Sequence, residues 1–184
     1  MIPTGPDPGS RIEVIPGPAL RPGSRAAILG LCRRAYEEEV DALYHAMDPV
    51  AHVLAWEGAR LAAHAMWVDR RLCVGADEPL RTAYVEFVAT EPELQGRGLG
   101  TAVMRRLADE IRGDYRLAAL CTGSPGFYAR LGWLLWTGPL VVRTGSGTLV
   151  ATPDETVMVL DVEGGFGPRR AEPLSVEWRE GELW

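Results

Sequence analysis

The sequence contains few cysteines and no long apolar run, and these two absences exclude several classes of protein. Three cysteines in 184 residues, at wide spacings, form no zinc or disulfide pattern, and each is expected to be a small reduced hydrophobic residue. The longest apolar runs, such as Leu61–Val68, are far shorter than the roughly 20 residues that span a bilayer. The histidines His45, His52 and His64 have no metal-ligand spacing. We therefore expect no metal and no membrane partner.

The chain also lacks an excess of positive charge, and its first residues do not have the pattern expected of a secretory leader. Nineteen basic and 25 acidic residues give a formal net charge of −6, which argues against a nucleic-acid partner and suits a cationic small-molecule amine. An acidic surface that only keeps the protein in solution is the alternative. Residues 1–9 are rich in Pro and Gly and have no basic segment before an apolar one, so they predict a flexible tail and a cytoplasmic protein. Residues 10–184 are long enough for one domain.

What is present is a mixed pattern of alternating and amphipathic segments, typical of an α+β protein with a strand–turn–helix–strand unit at its centre. The predicted strands are 11–15, 51–56, 60–74, 81–90, 115–122, 133–136, 140–143 and 157–161. The predicted helices are a stretch after an N-cap at Ser24, residues 36–47, residues 98–112, and a short helix from Ser124 to Leu131. The arm 60–74 of the first hairpin is long enough to need a bulge or a bend.

A glycine-rich turn joins the apolar strand 81–90 to the amphipathic helix 98–112. It reads Gln95-Gly96-Arg97-Gly98-Leu99-Gly100, followed by Thr101. Glycines clear side chains from a helix start, where unpaired N–H groups and the helix dipole favour a pyrophosphate, and Gln95 and Arg97 can add side-chain contacts. The turn lacks the lysine of a Walker A loop and the spacing of a Rossmann fingerprint. A tight turn without a ligand remains the alternative.

This turn resembles the Gln/Arg-x-x-Gly-x-Gly/Ala signature of the GNAT acetyltransferases. Downstream, Phe127-Tyr128-Ala129-Arg130-Leu131-Gly132-Trp133 resembles their Phe-Tyr-x-x-x-Gly-Phe/Trp element, with a helix and a strand between the two motifs. The resemblance implies the GNAT fold: a mixed, mostly antiparallel central sheet flanked by helices, with split strands that hold acetyl-CoA. The contacts it implies for that cosubstrate come from Val88, Thr90, Gln95, Gly96, Arg97, Gly98, Leu99, Gly100 and Thr101.

Other segments resemble the aminoglycoside 2′-N-acetyltransferases of mycobacteria and their relatives. They are Leu61–Ala65, Arg70–Leu72, Tyr84–Glu86, Gly132–Pro139, Thr152–Glu155 and the ending Trp178-Arg179-Glu180-Gly181-Glu182-Leu183-Trp184. This resemblance implies a homodimeric enzyme that acetylates the 2′-amine of an aminoglycoside and so confers antibiotic resistance. The loop between Cys121 and Tyr128 is shorter than in those relatives, which leaves the range of antibiotics open.

Acetyl transfer needs a base for the ammonium, a donor for the carbonyl oxygen and a proton for the leaving thiolate. Glu86 is the candidate base because it is the one charge in the apolar segment 83–89, and the resemblance gives the matching glutamate this role through water. An ion pair with Arg81 or another basic residue is the alternative. Glu86 shares a strand face with Val88 and Thr90, whose backbone amides face the cosubstrate in the resemblance.

Tyr128 is the candidate acid, because a phenol with a pKa near 10 holds its proton at pH 7. A buried tyrosine with a satisfied hydroxyl is the alternative, as it is for His64, which we expect to be a satisfied core residue. Cys121 as a nucleophile finds no paired base in the sequence.

On the acceptor side, a cationic substrate calls for carboxylates. The resemblance implies contacts from Glu38 and Asp41 in the acidic run 37–41, from Glu86, from Asp154, and from the carboxylate of Trp184. A solvated helix face is the alternative for the acidic run, and a frayed end for Trp184. Two other functions stay open: acetylation of another small amine, and a non-catalytic acetyl-CoA sensor.

Overall fold

The computed structural model describes residues 10–180 and Trp184, so the tail predicted at residues 1–9 lies outside the described residues. The strands are β1 (Ser10–Pro16), β2 (Pro49–Glu57), β3 (Arg60–Val74), β4 (Leu80–Thr90), β5 (Leu117–Cys121), β6 (Leu134–Leu135), β7 (Leu140–Arg143), β8 (Leu149–Ala151), β9 (Val157–Asp161) and β10 (Leu174–Glu177). The α-helices are α1 (Pro22–Tyr36), α2 (Asp41–His45), α3 (Leu99–Glu110) and α4 (Pro125–Ala129). Runs of mostly antiparallel strands combine with a few helices, which confirms the predicted α+β class.

The described residues form two compact units, and the first contains the chain up to Val68 together with Val85–Glu110. In it, β1 pairs antiparallel with β2, and β2 pairs antiparallel with β3. The register between β2 and β3 shifts between Ala55 and Trp56, which confirms that the long arm is irregular. The core of this unit is a buried apolar cluster to which α1, α2 and the three strands β2, β3 and β4 contribute.

The helix α3 belongs to the first unit and packs on β2. Its buried side chains Leu99, Val103, Met104 and Leu107 recur at spacings of three and four residues, as one face of a helix must. The predicted amphipathic helix is therefore confirmed.

The second unit contains Asp69–Tyr84 and Ile111–Trp184. Its strands follow the order β6-β9-β5-β4-β3-β10-β7-β8. Strand β5 runs parallel to β4 at Ala83 and Tyr84, and β10 runs parallel to β7. The pairs β5–β9, β6–β9, β3–β10 and β7–β8 are antiparallel. The mixed, mostly antiparallel sheet that the sequence predicted is confirmed.

Two predicted features are wrong in detail, and two strands were missed. Helix α1 begins at Pro22 with Arg21 as N-cap, not after Ser24, because proline fits the first turn of a helix. The predicted helix 36–47 is broken: Glu37 takes a left-handed φ of 58° and ends α1, and α2 covers only Asp41–His45. Strands β8 and β10 were not predicted. None of the described helices combines the length and the hydropathy that a membrane span requires.

Candidate active site

The glycine-rich turn has the geometry of an open cradle before α3. Gly96 and Gly98 have φ values of 76° and 83°, in the left-handed region that side chains disfavour. A Cβ placed on either glycine would meet no protein atom within 4 Å, so the space above the turn is open. The first helical backbone bond runs from the N–H of Ala102 to Gly98, and the N–H groups that precede it are the donors a helix start offers to an anion.

The side chains at the cradle are already engaged. Arg97 forms an ion pair with Glu57, at 3.2 Å between Nη2 and Oε1. Gln95 donates from Nε2 to the carbonyl oxygen of Thr90 at 3.4 Å. The structure therefore brings together Gln95 and Thr90, two of the residues predicted to contact the cosubstrate. A phosphate at the cradle would have to compete with Glu57 for Arg97.

A buried carboxylate, which sequence reasoning missed, anchors the chain between β4 and the cradle. The side chain of Glu91 is 2% exposed and forms ion pairs with two guanidinium groups. The distance is 2.9 Å from Oε2 to Nη2 of Arg34 and 2.9 Å from Oε1 to Nη2 of Arg60. Hydrogen bonds from Arg34, with the neighbouring positive charges, hold the pKa of Glu91 below its usual range. The backbone N–H of Glu91 also donates to Ala62 at 2.9 Å. A glutamate directly before Pro92 and directly after an apolar strand was the only signal in the sequence.

The strand β4 presents the predicted catalytic face. Glu86, Val88 and Thr90 are half-buried, whereas the residues that alternate with them are buried. The three residues thus have the same partial exposure, and a common face for them stays a prediction. Arg81, the alternative partner of Glu86, donates to Asp69 at 3.0 Å and to the hydroxyl of Tyr115 at 2.9 Å.

Two buried histidines lie behind this strand. His64 is fully buried, and its Nδ1 lies 2.9 Å from the carbonyl oxygen of Phe87, while its Nε2 lies 3.1 Å from Nδ1 of His52. Burial lowers the pKa of His64 to about 3 and that of His52 to about 4, so both rings are neutral at pH 7. His64 is a satisfied core residue, as predicted, but its partner on β4 could not be read from the sequence.

Tyr128 lies in the second unit on α4. Its side chain is buried and its ring packs edge-on against Trp133, at 6.1 Å between centroids. Burial raises the pKa of Tyr128 to about 12, and the hydrogen bond with Thr122 offsets only part of this. The phenol therefore keeps its proton at pH 7. Ser124 occupies the predicted N-cap position of α4, although its side chain makes no capping hydrogen bond.

The two candidate acceptor contacts in the acidic run 37–41 differ, because Asp41 pairs with an arginine and Glu38 is exposed. Asp41, at the start of α2, accepts a two-pronged hydrogen bond from Arg33, one arm being 2.8 Å between Nε and Oδ2. These hydrogen bonds, ahead of the charge itself, hold the pKa of Asp41 below its usual range. Glu38 is exposed in the loop before α2. A role of Glu38 and Asp41 in binding the acceptor stays a prediction.

The Thr-Pro-Asp turn and the last residue are joined in the second unit. The indole of Trp184 is buried and donates from Nε1 to Oγ1 of Thr152 at 2.7 Å. Asp154 is exposed two residues further along this turn. The guanidinium of Arg179 lies 5.7 Å from the ring centroid of Tyr84 and 3.5 Å from the main-chain oxygen of Trp184.

The remaining catalytic candidate, Cys121, is kept protonated by its surroundings. The Cys121 thiol donates to Glu155 at 3.1 Å, and burial raises the pKa of Cys121 to about 12, so the thiolate is not available at pH 7. Within residues 10–180 and Trp184, no group of three or more His, Cys, Asp or Glu side chains is arranged to hold a metal ion.

Comparison with known proteins identifies relatives along most of the chain. A family model described as an acetyltransferase (GNAT) domain matches residues 22–135, more than half of the chain. The aminoglycoside 2′-N-acetyltransferase of Mycolicibacterium fortuitum is 37% identical over 145 residues, which cover 76% of this chain and 73% of that relative. Glucosamine 6-phosphate N-acetyltransferase 1 of Oryza sativa subsp. japonica is 36% identical over 80 residues, which cover 42% of this chain and 47% of that relative.

A solved structure extends the likeness to the whole fold. The GNAT family N-acetyltransferase YhbS from Escherichia coli, solved in complex with CoA, matches with a TM-score of 0.69 at 18% identity. The match covers 96% of this chain and 93% of that one. The family match and the 37% identical relative together show that the chain belongs to the GNAT family and is an acetyltransferase of the GNAT type.

Proposed function

We propose that the protein transfers the acetyl group of acetyl-CoA to the 2′-amine of an aminoglycoside. The observation that carries this proposal is the 37% identity to an aminoglycoside 2′-N-acetyltransferase over 76% of the chain. The relative with 36% identity over 80 residues is named for glucosamine 6-phosphate, so both names specify the amine of an amino sugar. An amino-sugar acceptor is therefore the substrate class that both relatives support.

The open cradle supports acetyl-CoA as the acetyl donor. Gly96 and Gly98 leave the start of α3 uncovered, so the backbone N–H groups of Leu99, Gly100 and Thr101 suit a pyrophosphate. Arg97 would add a charge-assisted hydrogen bond once a phosphate replaces Glu57 as its partner. We assign the pantetheine arm to the backbone of Val88 and Thr90.

The reaction we propose is direct attack of the amine on the thioester carbonyl carbon. Glu86 takes one proton from the substrate ammonium through a water molecule, and the freed lone pair forms the C–N bond. The N–H of Val88 holds the carbonyl oxygen while it carries negative charge. Tyr128 gives its proton to the sulfur as the C–S bond breaks, and the acylated nitrogen then loses its second proton to solvent, from which the phenolate of Tyr128 and the protonated Glu86 are reset. The products are the acetylated amine, a free thiol and one proton released to solvent.

The acceptor side of the proposal follows from charge. An aminoglycoside carries several ammonium groups, and the net charge of −6 suits a cation. We assign binding of these groups to the carboxylates of Glu38, Asp41, Asp154 and Trp184. Because Asp41 already pairs with Arg33, its contribution is smaller than that of the exposed Asp154.

A thiol-release assay tests the proposal. The wild-type protein is given acetyl-CoA and a matched pair of aminoglycosides that differ only in an amine or a hydroxyl at the 2′ position. Turnover with the amine and none with the hydroxyl is expected. Equal turnover of both, or none with any 2′-amine, would rule out this acceptor.

Replacement of the base is the first mutational prediction. We expect Glu86→Gln to lower kcat about 100-fold or more, as loss of general acid–base catalysis does, with acetyl-CoA affinity unchanged. The control is Glu163→Gln, which removes an exposed partner of Arg116 and should leave kcat within twofold. An unchanged kcat in Glu86→Gln would remove Glu86 from the mechanism.

A phosphorylated amino sugar is the second candidate acceptor, favoured by the relative named for glucosamine 6-phosphate. Its anionic phosphate fits poorly with a chain of net charge −6, which is why we rank it second. Adding glucosamine 6-phosphate to the same assay separates the two candidates.

A further inference from the structure

The backbone of β4 is interrupted at the residue between Glu86 and Val88. Phe87 has a φ of 52°, a left-handed conformation in the middle of a strand. Such a conformation is an outlier for a bulky residue and persists only when its surroundings impose it. What holds Phe87 in this conformation therefore matters for the two residues beside it.

Two hydrogen-bonded histidines, His52 and His64, lead to the carbonyl oxygen of Phe87. The carbonyl oxygen of Phe87 can only accept a hydrogen bond, so Nδ1 of His64, at 2.9 Å, must carry the proton. Since the ring is neutral, Nε2 of His64 is then an acceptor, and Nδ1 of His52, at 3.1 Å, is its donor. The contact with His52 thus selects the tautomer of His64 that donates to Phe87.

The packing around this chain leaves little room for another arrangement. Tyr44, from α2, stacks on the ring of His52 at 6.2 Å and meets the ring of Phe87 edge-on at 5.4 Å. All four side chains are buried. The orientation of the Phe87 carbonyl is thus fixed by His64 on one side and its ring by Tyr44 on another.

The Phe87–Val88 peptide is trans, so the N–H of Val88 points away from the carbonyl that His64 holds. We infer that His64, oriented by His52, is a positioning residue that fixes the Val88 N–H as the donor to the thioester carbonyl oxygen. The same hydrogen bond polarises the peptide and strengthens that N–H as a donor. This inference rests on the proposed function, because it gives Val88 its part in that reaction.

A pair of variants distinguishes a hydrogen-bonding role of His64 from a role in packing alone. In His64→Asn the amide nitrogen can take the place of Nδ1, whereas in His64→Gln it can take the place of Nε2. We expect His64→Gln to lower kcat about 10-fold, less than the 10²–10³-fold that follows complete loss of an oxyanion donor, with the Kd for CoA within threefold. We expect His64→Asn to keep kcat within threefold. The control, exposed His45→Gln, should match the wild type.

A spectroscopic readout makes the test independent of the acceptor and of turnover. In a ¹⁵N-labelled protein without ligands, the Val88 amide resonance should move in His64→Gln and stay near its wild-type position in His64→Asn. A through-hydrogen-bond coupling between Nδ1 of His64 and the Phe87 carbonyl carbon in the wild type tests the contact without any substitution.

The inference is overturned if the wild type shows no such coupling, if the Val88 amide is the same in both variants, or if Asn and Gln lower kcat equally. The proposed function fails on a different result, namely the absence of wild-type turnover with any 2′-amine. In that case the amide resonance and the coupling still decide the inference, because neither depends on the acceptor.

Discussion

At the scale of single residues, two histidines are buried in the interior and are neutral at pH 7. His52 and His64 have pKa values lowered to about 4 and about 3 by burial, against about 6.5 in an unfolded chain. A lowered histidine pKa means that the unfolded state binds more protons below pH 6.5. The stability gained from keeping these rings neutral is therefore complete above pH 6.5 and is lost as the pH falls towards 4 and 3.

This linkage predicts how the free energy of unfolding changes with pH. Between pH 6.5 and 5 we expect it to fall by up to about 1.4 kcal/mol per pH unit for each histidine. Urea unfolding at a series of pH values measures the slope. His52→Asn should reduce the slope by about half, and the exposed His45→Gln should not. A slope that is equal in all three proteins would contradict the neutral pair.

Tyr128 also carries a prediction at this scale. Because its pKa is raised to about 12, the phenol stays protonated up to high pH. Ionisation of Tyr128 should therefore cause no decline in kcat below about pH 11. We expect Tyr128→Phe to lower kcat by about 100-fold while the Kd for acetyl-CoA stays within threefold, because only the proton is removed. Stopped-flow thiol release and calorimetric titration measure the two quantities. Unchanged turnover would leave Tyr128 as a buried aromatic only.

At the scale of elements, the junction of β4 and α3 combines a buried ion-pair cluster with an open glycine turn. The buried Glu91 fixes the exit of β4 through Arg34 and Arg60, and the two left-handed glycines then open the cradle before α3. Rigid flanks around an open turn hold backbone donors in place without side chains, which is what a pyrophosphate site needs.

The cradle predicts a contrast between two glycines with similar backbones. Alanine in the left-handed region costs about 1–2 kcal/mol, so Gly96→Ala and Gly58→Ala should lose similar stability. Both positions are open, but only Gly96 lies in the cradle. We expect Gly96→Ala to weaken acetyl-CoA binding at least 10-fold and Gly58→Ala, in the β2–β3 hairpin, to leave it unchanged. Equal affinities would remove the cradle from the binding site.

At the scale of the whole molecule, the predicted homodimer has a candidate surface at one edge of the strand order. β8 is the last strand beyond β7, and its Leu149 is 61% exposed beside the exposed Val150. An exposed apolar edge strand is a template for pairing with another chain. We therefore propose β8 as the strand through which two copies associate.

Size-exclusion chromatography with light scattering tests the dimer. We expect the wild type to have twice the mass of one chain and Leu149→Arg to have the mass of one chain with unchanged circular dichroism. Leu135→Arg is the matched control, since Leu135 is an exposed leucine on β6 at the opposite end of the strand order. A dimer that survives Leu149→Arg but not Leu135→Arg would assign the interface to β6.

The sequence by itself determined the features that depend on local spacing. The apolar spacing of α3 follows from the period of 3.6 residues, and the cradle at Gln95–Thr101 follows from the conformational freedom of glycine. The break after Tyr36 was missed, because a left-handed Glu37 has no sequence signature of the kind that glycine provides.

Only the tertiary structure decided which distant residues meet. Glu91 contacts Arg34 from 57 residues away, His64 holds Phe87 from 23 residues away, and Trp184 donates to Thr152 from 32 residues away. Strand β10 enters the sheet between β3 and β7 for the same reason. Such pairs satisfy buried polar groups and fill the interior, and the free energy they contribute depends on the fold as a whole. No local pattern of residues encodes them.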